Sequence, residues 1–229
     1  MSDSLSYSFA KNASDSKLKV KYAKNSEPRC PVVLLLDTSG SMDGLPISQL
    51  NDAIMAFKEV AVKDKMAKRR IHLCIVTFGG TAKINTEFTD IKSFIPPTLK
   101  SGGNTPLGAG INLALDELEK IKAEYKEHDI SYFRPWVVLI SDGCPTDAWK
   151  DSSKRAKEYH DDKEKKVVFL TFCVKGANFE ILTEIAPHDK PPESIDSADF
   201  RKLFLWLSAS LEKASIGVSI SSQVRFDQQ

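Results

Sequence analysis

The chain has 229 residues and a mass of 25.4 kDa, the size of one generous domain with short arms. Hydrophobic residues make up 41% and charged residues 28%, which supports a sizeable core and excludes global disorder. The 32 Lys and Arg against 31 Asp and Glu leave a net charge of +1, without the basic excess that bulk nucleic-acid binding requires. Apolar runs such as Val32–Leu36 are far too short to cross a bilayer. The start, Met1-Ser2-Asp3-Ser4, has no basic region followed by an apolar stretch, so no secretory signal is expected. Cys30, Cys74, Cys144 and Cys173 form no close pair, against a zinc ribbon, a redox dithiol or a disulfide scaffold. A cytoplasmic protein without nucleic-acid or membrane partners is the expectation.

Residues 1–30 are polar and rich in Ser and Lys. Leu18, Val20 and Tyr22 alternate with lysines, as in an edge hairpin, and a loose arm fits the same residues. From Pro31 the pattern sharpens. Val32–Leu36 is an unbroken aliphatic run, the mark of a strand buried on both faces. Pro46 to about Ala67 carries Ile47, Leu50, Ile54, Phe57, Val60 and Ala61 at helical spacing, with proline suited to the first turn. Ile71–Phe78, the Gly79-Gly80 turn and Thr81–Phe88 read as an antiparallel hairpin. Thr105 to about Glu127 is a second long helix, with Leu107, Ile111, Leu115, Leu118 and Ile121 on one side. Trp136–Ile140 is again a buried strand, and Asp151 to about His160 a charged surface helix. Val167–Val174, a short helix over 178–186, an edge strand near Ser194-Ile195 and a helix from Phe200 to Leu211 complete the series.

Buried strands alternating with helices predict a doubly wound α/β domain over residues 31–213. Its sheet is mostly parallel, with one antiparallel edge strand and helices on both faces. A Ser-bearing tail, 214–229, follows.

Ligands in such sheets sit beyond the carboxyl ends of the strands. Two buried strands here end at an aspartate, giving Asp37-Thr38-Ser39-Gly40-Ser41 and Ser141-Asp142-Gly143, and a Gly102-Gly103-Asn104-Thr105 loop opens a helix. If the strands are neighbours, Asp37, Ser39, Ser41, Thr105 and Asp142 converge. An all-oxygen set of that size suits a hard divalent cation, Mg2+ first, with Mn2+ or Ca2+ as substitutes. Only two carboxylates offset the dication, so an open position favours an anionic ligand. Capping of a helix by Asp37 and the serines is the alternative for that segment alone, and it weakens once Thr105 and Asp142 are counted.

Together the three segments resemble the metal-ion-dependent adhesion site (MIDAS) of von Willebrand factor A (VWA) domains. That resemblance implies a helix-flanked sheet, a bound Mg2+, a Thr105 that binds the ion in the ligand-competent state, and a protein partner whose Asp or Glu completes the coordination. A narrower set looks like bacterial TerY/YegL-type tellurite-resistance proteins: Leu34-Leu35-Leu36-Asp37-Thr38-Ser39-Gly40-Ser41-Met42, Gly102–Gly108, and Phe204-x-Trp206-x-Ser208. The likeness implies a stress-response setting with a protein kinase and a PP2C-type phosphatase. It also suggests the tail serines as phosphate acceptors, and hence a phosphorylation-regulated scaffold with a structural metal as the alternative function.

Enzyme readings fare worse. A haloacid-dehalogenase phosphatase needs a second aspartate where Ser39 stands. The Gly-Lys-Ser/Thr ending of a phosphate loop and the Gly-x-Ser-x-Gly elbow are both absent. No His or Glu lies in the three site segments to act as general base, so no enzyme is expected, a magnesium hydrolase being the lesser alternative. His72 reads as packed rather than ligating, Cys144 as inert, and Lys68-Arg69-Arg70 as a solvated helix end. Met42, Asp43, Gly44, Leu45, Gly79-Gly80 and Pro145-Thr146-Asp147 are expected to form the rim that selects the partner.

Overall fold

In the computed structural model, which describes residues 25–161, 163, 166–174 and 176–215, six strands form one sheet in the order β3-β2-β1-β4-β5-β6. The strands are β1 (Cys30–Asp37), β2 (Ile71–Gly79), β3 (Thr81–Asp90), β4 (Trp136–Ser141), β5 (Val168–Val174) and β6 (Glu193–Ile195). Only β3 runs antiparallel, against β2 at one edge. The sheet is therefore the doubly wound, mostly parallel one expected from the sequence.

Every residue of β1 is buried, because helices cover both of its faces. Val32, Leu34 and Leu36 face α1 (Leu45–Lys63) and α6 (Phe200–Ser215). Val33 and Leu35 face α3 (Leu107–Glu127), α4 (Lys150–Asp161) and α5 (Phe179–Ile185). The period-two alternation of a strand thus feeds two separate cores. In the first, Phe57 of α1 meets Phe204 of α6 edge-on, ring centroids 5.8 Å apart. In the second, Leu107, Ile111, Leu115, Leu118 and Ile121 of α3 are all buried.

Three local expectations change. The first helix does not run to Ala67 but ends at Lys63, where Asp64 turns extended. The Asp64 carboxylate accepts the Met66 and Ala67 N–H groups at 2.8 and 2.6 Å and starts a separate turn, α2 (Ala67–Arg70). Val60 is exposed rather than core. Lys68-Arg69-Arg70 is not a simple solvated end: Arg70 pairs with Glu27 at 2.9 Å and lies 5.6 Å from the Phe133 ring centroid, with Arg69 at 3.7 Å from the same carboxylate.

α1 carries the chain from β1 to β2, and α3 carries it back past β1 to β4 on the other face. The strand order therefore reverses between β1 and β4, and a crevice opens at their carboxyl ends. Among the described residues no helix is long and apolar enough to cross a membrane. Of the expected arm or hairpin over 1–30, residues 1–24 lie outside the described residues, and Cys30 already belongs to β1. Of the expected tail over 214–229, the first two residues end α6 and those beyond 215 lie outside the described residues.

Candidate metal centre

Register builds the floor of the crevice. Leu36 pairs with Ile140, so the next residues, Asp37 and Ser141, end up side by side. Ser141 Oγ donates to Asp37 Oδ2 at 2.6 Å, and the Ser39 N–H donates to Asp37 Oδ1 at 2.9 Å. The second bond folds the turn back so that the Ser39 and Ser41 hydroxyls stand 3.0 Å apart. Asp37 and Ser39 are buried, while Ser41 is open to solvent.

The glycine loop is laid across this turn by backbone bonds. The Gly102 N–H donates to Thr38 O at 2.8 Å, the Gly40 N–H to Gly103 O at 3.0 Å, and the Gly80 N–H to Asn104 O at 2.7 Å. Gly103 has φ +75°, and a Cβ there would lie 2.6 Å from Gly80 Cα, so only glycine permits the two loops to touch. Thr105 follows directly and is buried. From β4, Asp142 is held by the Asn178 N–H, which donates to its main-chain oxygen at 2.9 Å.

The electrostatics are uncompensated. Burial pushes the Asp37 carboxyl up to about 6, against the opposing hydrogen bonds from Ser141 and Ser39, and the Asp142 charge raises it further. No basic side chain contributes to that balance among the described residues. Asp142 Oδ1 is buried with no hydrogen-bond partner. A sealed, orphaned carboxylate oxygen beside a buried carboxylate is costly unless a cation sits between them. Oxygen donors alone make a hard ion the natural guest. The residues present therefore fit a divalent cation.

Thus Asp37, Ser39 and Ser41 are joined by direct hydrogen bonds, and the loops bearing Thr105 and Asp142 close on the same crevice. Met42, expected on the rim, is instead buried, because the 3-10 turn Gly40–Met42 rotates it beneath α1 into the core. Asp43, Gly44 and Leu45 do stand exposed at the mouth. Gly80 is exposed and Gly79 half-buried, and the glycine loop packs against this turn. Sequence reasoning gave Ser141 no role; its signal was the parallel register, which sets the residue after Ile140 opposite Asp37.

A second group of possible metal ligands, His160, Asp161 and Asp189, lies at the other end of the sheet, by the start of β5. His160 Nδ1 accepts the Phe169 N–H at 3.0 Å, so Nε2 carries the ring proton and donates to Asp189 Oδ1 at 2.9 Å. With both ring nitrogens engaged, His160 has no lone pair for an ion. His72 is packed, its Nδ1 2.5 Å from the Tyr125 hydroxyl.

The family model of the von Willebrand factor type A domain matches residues 32–205. The chain belongs to this family. No curated protein gives a significant match. Among solved structures, proximal thread matrix protein 1 from the mussel byssus is similar at 15% identity and TM-score 0.54, over 82% of this chain and 49% of that one. A form of the mussel protein described as having a zinc-occupied MIDAS motif gives 16% identity and TM-score 0.56, over 82% of this chain and 48% of that one. The vWF domain of the type V pili tip protein Mfa5 from Porphyromonas gingivalis gives 10% identity and TM-score 0.57, over 87% of this VWA chain and 99% of that one. At these identities the likeness is one of fold. This chain spans about half the length of the mussel protein.

Proposed function

We propose that this VWA domain is a metal-dependent protein-binding module. Asp37, Ser39, Ser41, Thr105 and Asp142 hold Mg2+, with Mn2+ or Ca2+ able to replace it, and an Asp or Glu of the partner completes the coordination. The observation that carries this reading is the buried Asp37 carboxyl, raised to about 6, beside the partnerless Asp142 Oδ1. A dication offsets both charges, and neutral hydroxyl ligands leave it electrophilic toward a further anionic oxygen. The zinc-occupied MIDAS motif of the mussel protein, on the same fold, supports the reading.

Binding rather than turnover is assigned because the site segments carry no His or Glu to serve as general base. The setting we propose is a cytoplasmic bacterial stress system of the tellurite-resistance type, with a kinase and a PP2C-type phosphatase as partners. Its support is the likeness at Leu34–Met42 and Gly102–Gly108. The Phe204-x-Trp206 ending is accounted for by packing on Phe57 and Phe172.

Thermal unfolding with and without Mg2+ tests the metal. At about 100 times its Kd, Mg2+ should add about 2.7 kcal/mol to wild-type stability and nothing to Asp37→Ala. Equal melting of the wild type with Mg2+ and with EDTA would remove the proposal.

A further inference from the structure

α3 begins without a cap of its own, since Pro106 precedes it and offers no side-chain acceptor. The acceptor arrives from across the crevice. Asp147 Oδ1 takes the Gly108 N–H at 3.0 Å, and Oδ2 takes the Ala109 N–H at 2.9 Å. One residue earlier, Thr146 and Thr105 exchange bonds. The Thr105 N–H donates to Thr146 Oγ1 at 3.1 Å, and the Thr146 N–H donates to Thr105 O at 2.9 Å.

Gly108 completes the contact. A Cβ at that position would lie 2.7 Å from Trp149 Cα and 3.0 Å from Ala148 O, so residues 146–149 lie flat on the first turn of α3. This strap leaves Asp142 through only Gly143, Cys144 and Pro145. A segment that begins at one candidate ligand is thus fastened around another. Thr105 is gripped from both sides, by the glycine-loop bonds before it and by the strap after it. The charge of Asp147 also suits the positive end of the α3 dipole.

Resting on the metal reading above, we propose that Thr146 and Asp147 are positioning residues of the metal centre: the strap fixes Thr105 relative to Asp142 and so sets the affinity for the ion. The Thr146 hydroxyl accepts from Thr105 itself and the two Asp147 oxygens from Gly108 and Ala109 in the turn that follows it, so their contribution runs through the placement of Thr105. Outer partners that orient metal ligands typically change affinity by about 10- to 100-fold when lost.

The test is calorimetric titration of the full chain with Mn2+. Asp147→Ala should bind about 10- to 100-fold more weakly than wild type. Asp64→Ala removes a comparable two-bond carboxylate cap at α2, away from the site, and should leave Kd within about twofold. In a Thr105→Ala background, Asp147→Ala should cause no further loss, because the residue through which it acts is gone. Should Asp147→Ala fail to fold, Thr146→Val removes only the acceptor for the Thr105 N–H and should still weaken binding by about 3- to 10-fold. A wild type that takes up no Mn2+ refutes the metal reading itself. A wild type that binds, with Asp147→Ala or Thr146→Val matching its Kd, overturns the strap alone. So does an Asp147→Ala loss that persists undiminished without Thr105.

Discussion

Replacing Asp37 by Asn should make the metal-free protein more stable, although it removes a principal ligand. The carboxyl rises from 3.8 in the unfolded chain to about 6 in the fold. The folded protein therefore holds the proton more tightly, and stability falls as pH rises from about 4 through about 6, the loss being complete near pH 7. Two pKa units and a little more amount to about 3 kcal/mol at neutral pH. Asn keeps an oxygen for the Ser39 N–H but leaves the Ser141 hydroxyl proton without its acceptor, which costs about 1 kcal/mol. The net gain is about 1–2 kcal/mol, or about 2–8 °C in melting temperature for a domain of this size. The assay is thermal unfolding in EDTA at pH 7.5 and again at pH 5, where the wild-type carboxyl is already protonated and the gain should shrink. An Asn variant less stable than wild type in EDTA at pH 7.5, or a gain indifferent to pH, would refute the reasoning.

Two further outcomes follow from the fold. Phe57→Ala leaves a cavity against Phe204 between α1 and α6 and should cost about 3–5 kcal/mol in chemical denaturation, whereas a loss below about 1 kcal/mol would mean that this core is not closed as described. Burial lowers the pKa of His160, so protons prefer the unfolded chain and stability should drop as pH falls below about 6.5. His160→Gln should flatten that part of the pH–stability profile, and an unchanged slope would dismiss His160 as its source.

The architecture was legible because strands covered on both faces need aliphatic residues at every position, and Val32–Leu36 and Trp136–Ile140 supply them. The aspartates ending those strands pointed to the crevice for the same reason. What stayed hidden depends on partners distant in the chain. Lys63-Asp64-Lys65 reads as ordinary helix surface; the break comes from Asp64 turning to cap the next segment. Arg70 reads as solvated until Glu27, 43 residues earlier, lies against it. Met42 follows a polar loop and looks exposed, and only the 3-10 turn tips it inward. Thr146 and Asp147 read as rim residues, and Thr146 is exposed, yet their bonds reach 41 and 39 residues back to Thr105 and Gly108, contacts from a distant segment of the chain that local pattern does not encode.

The most direct measurement is an anomalous difference map from crystals of the full chain grown with Mn2+. The account predicts a peak enclosed by oxygens of Asp37, Ser39, Ser41, Thr105 and Asp142 at the carboxyl ends of β1 and β4. A peak only beside His160 and Asp189, or a crevice without density while Thr105 points elsewhere, would contradict it.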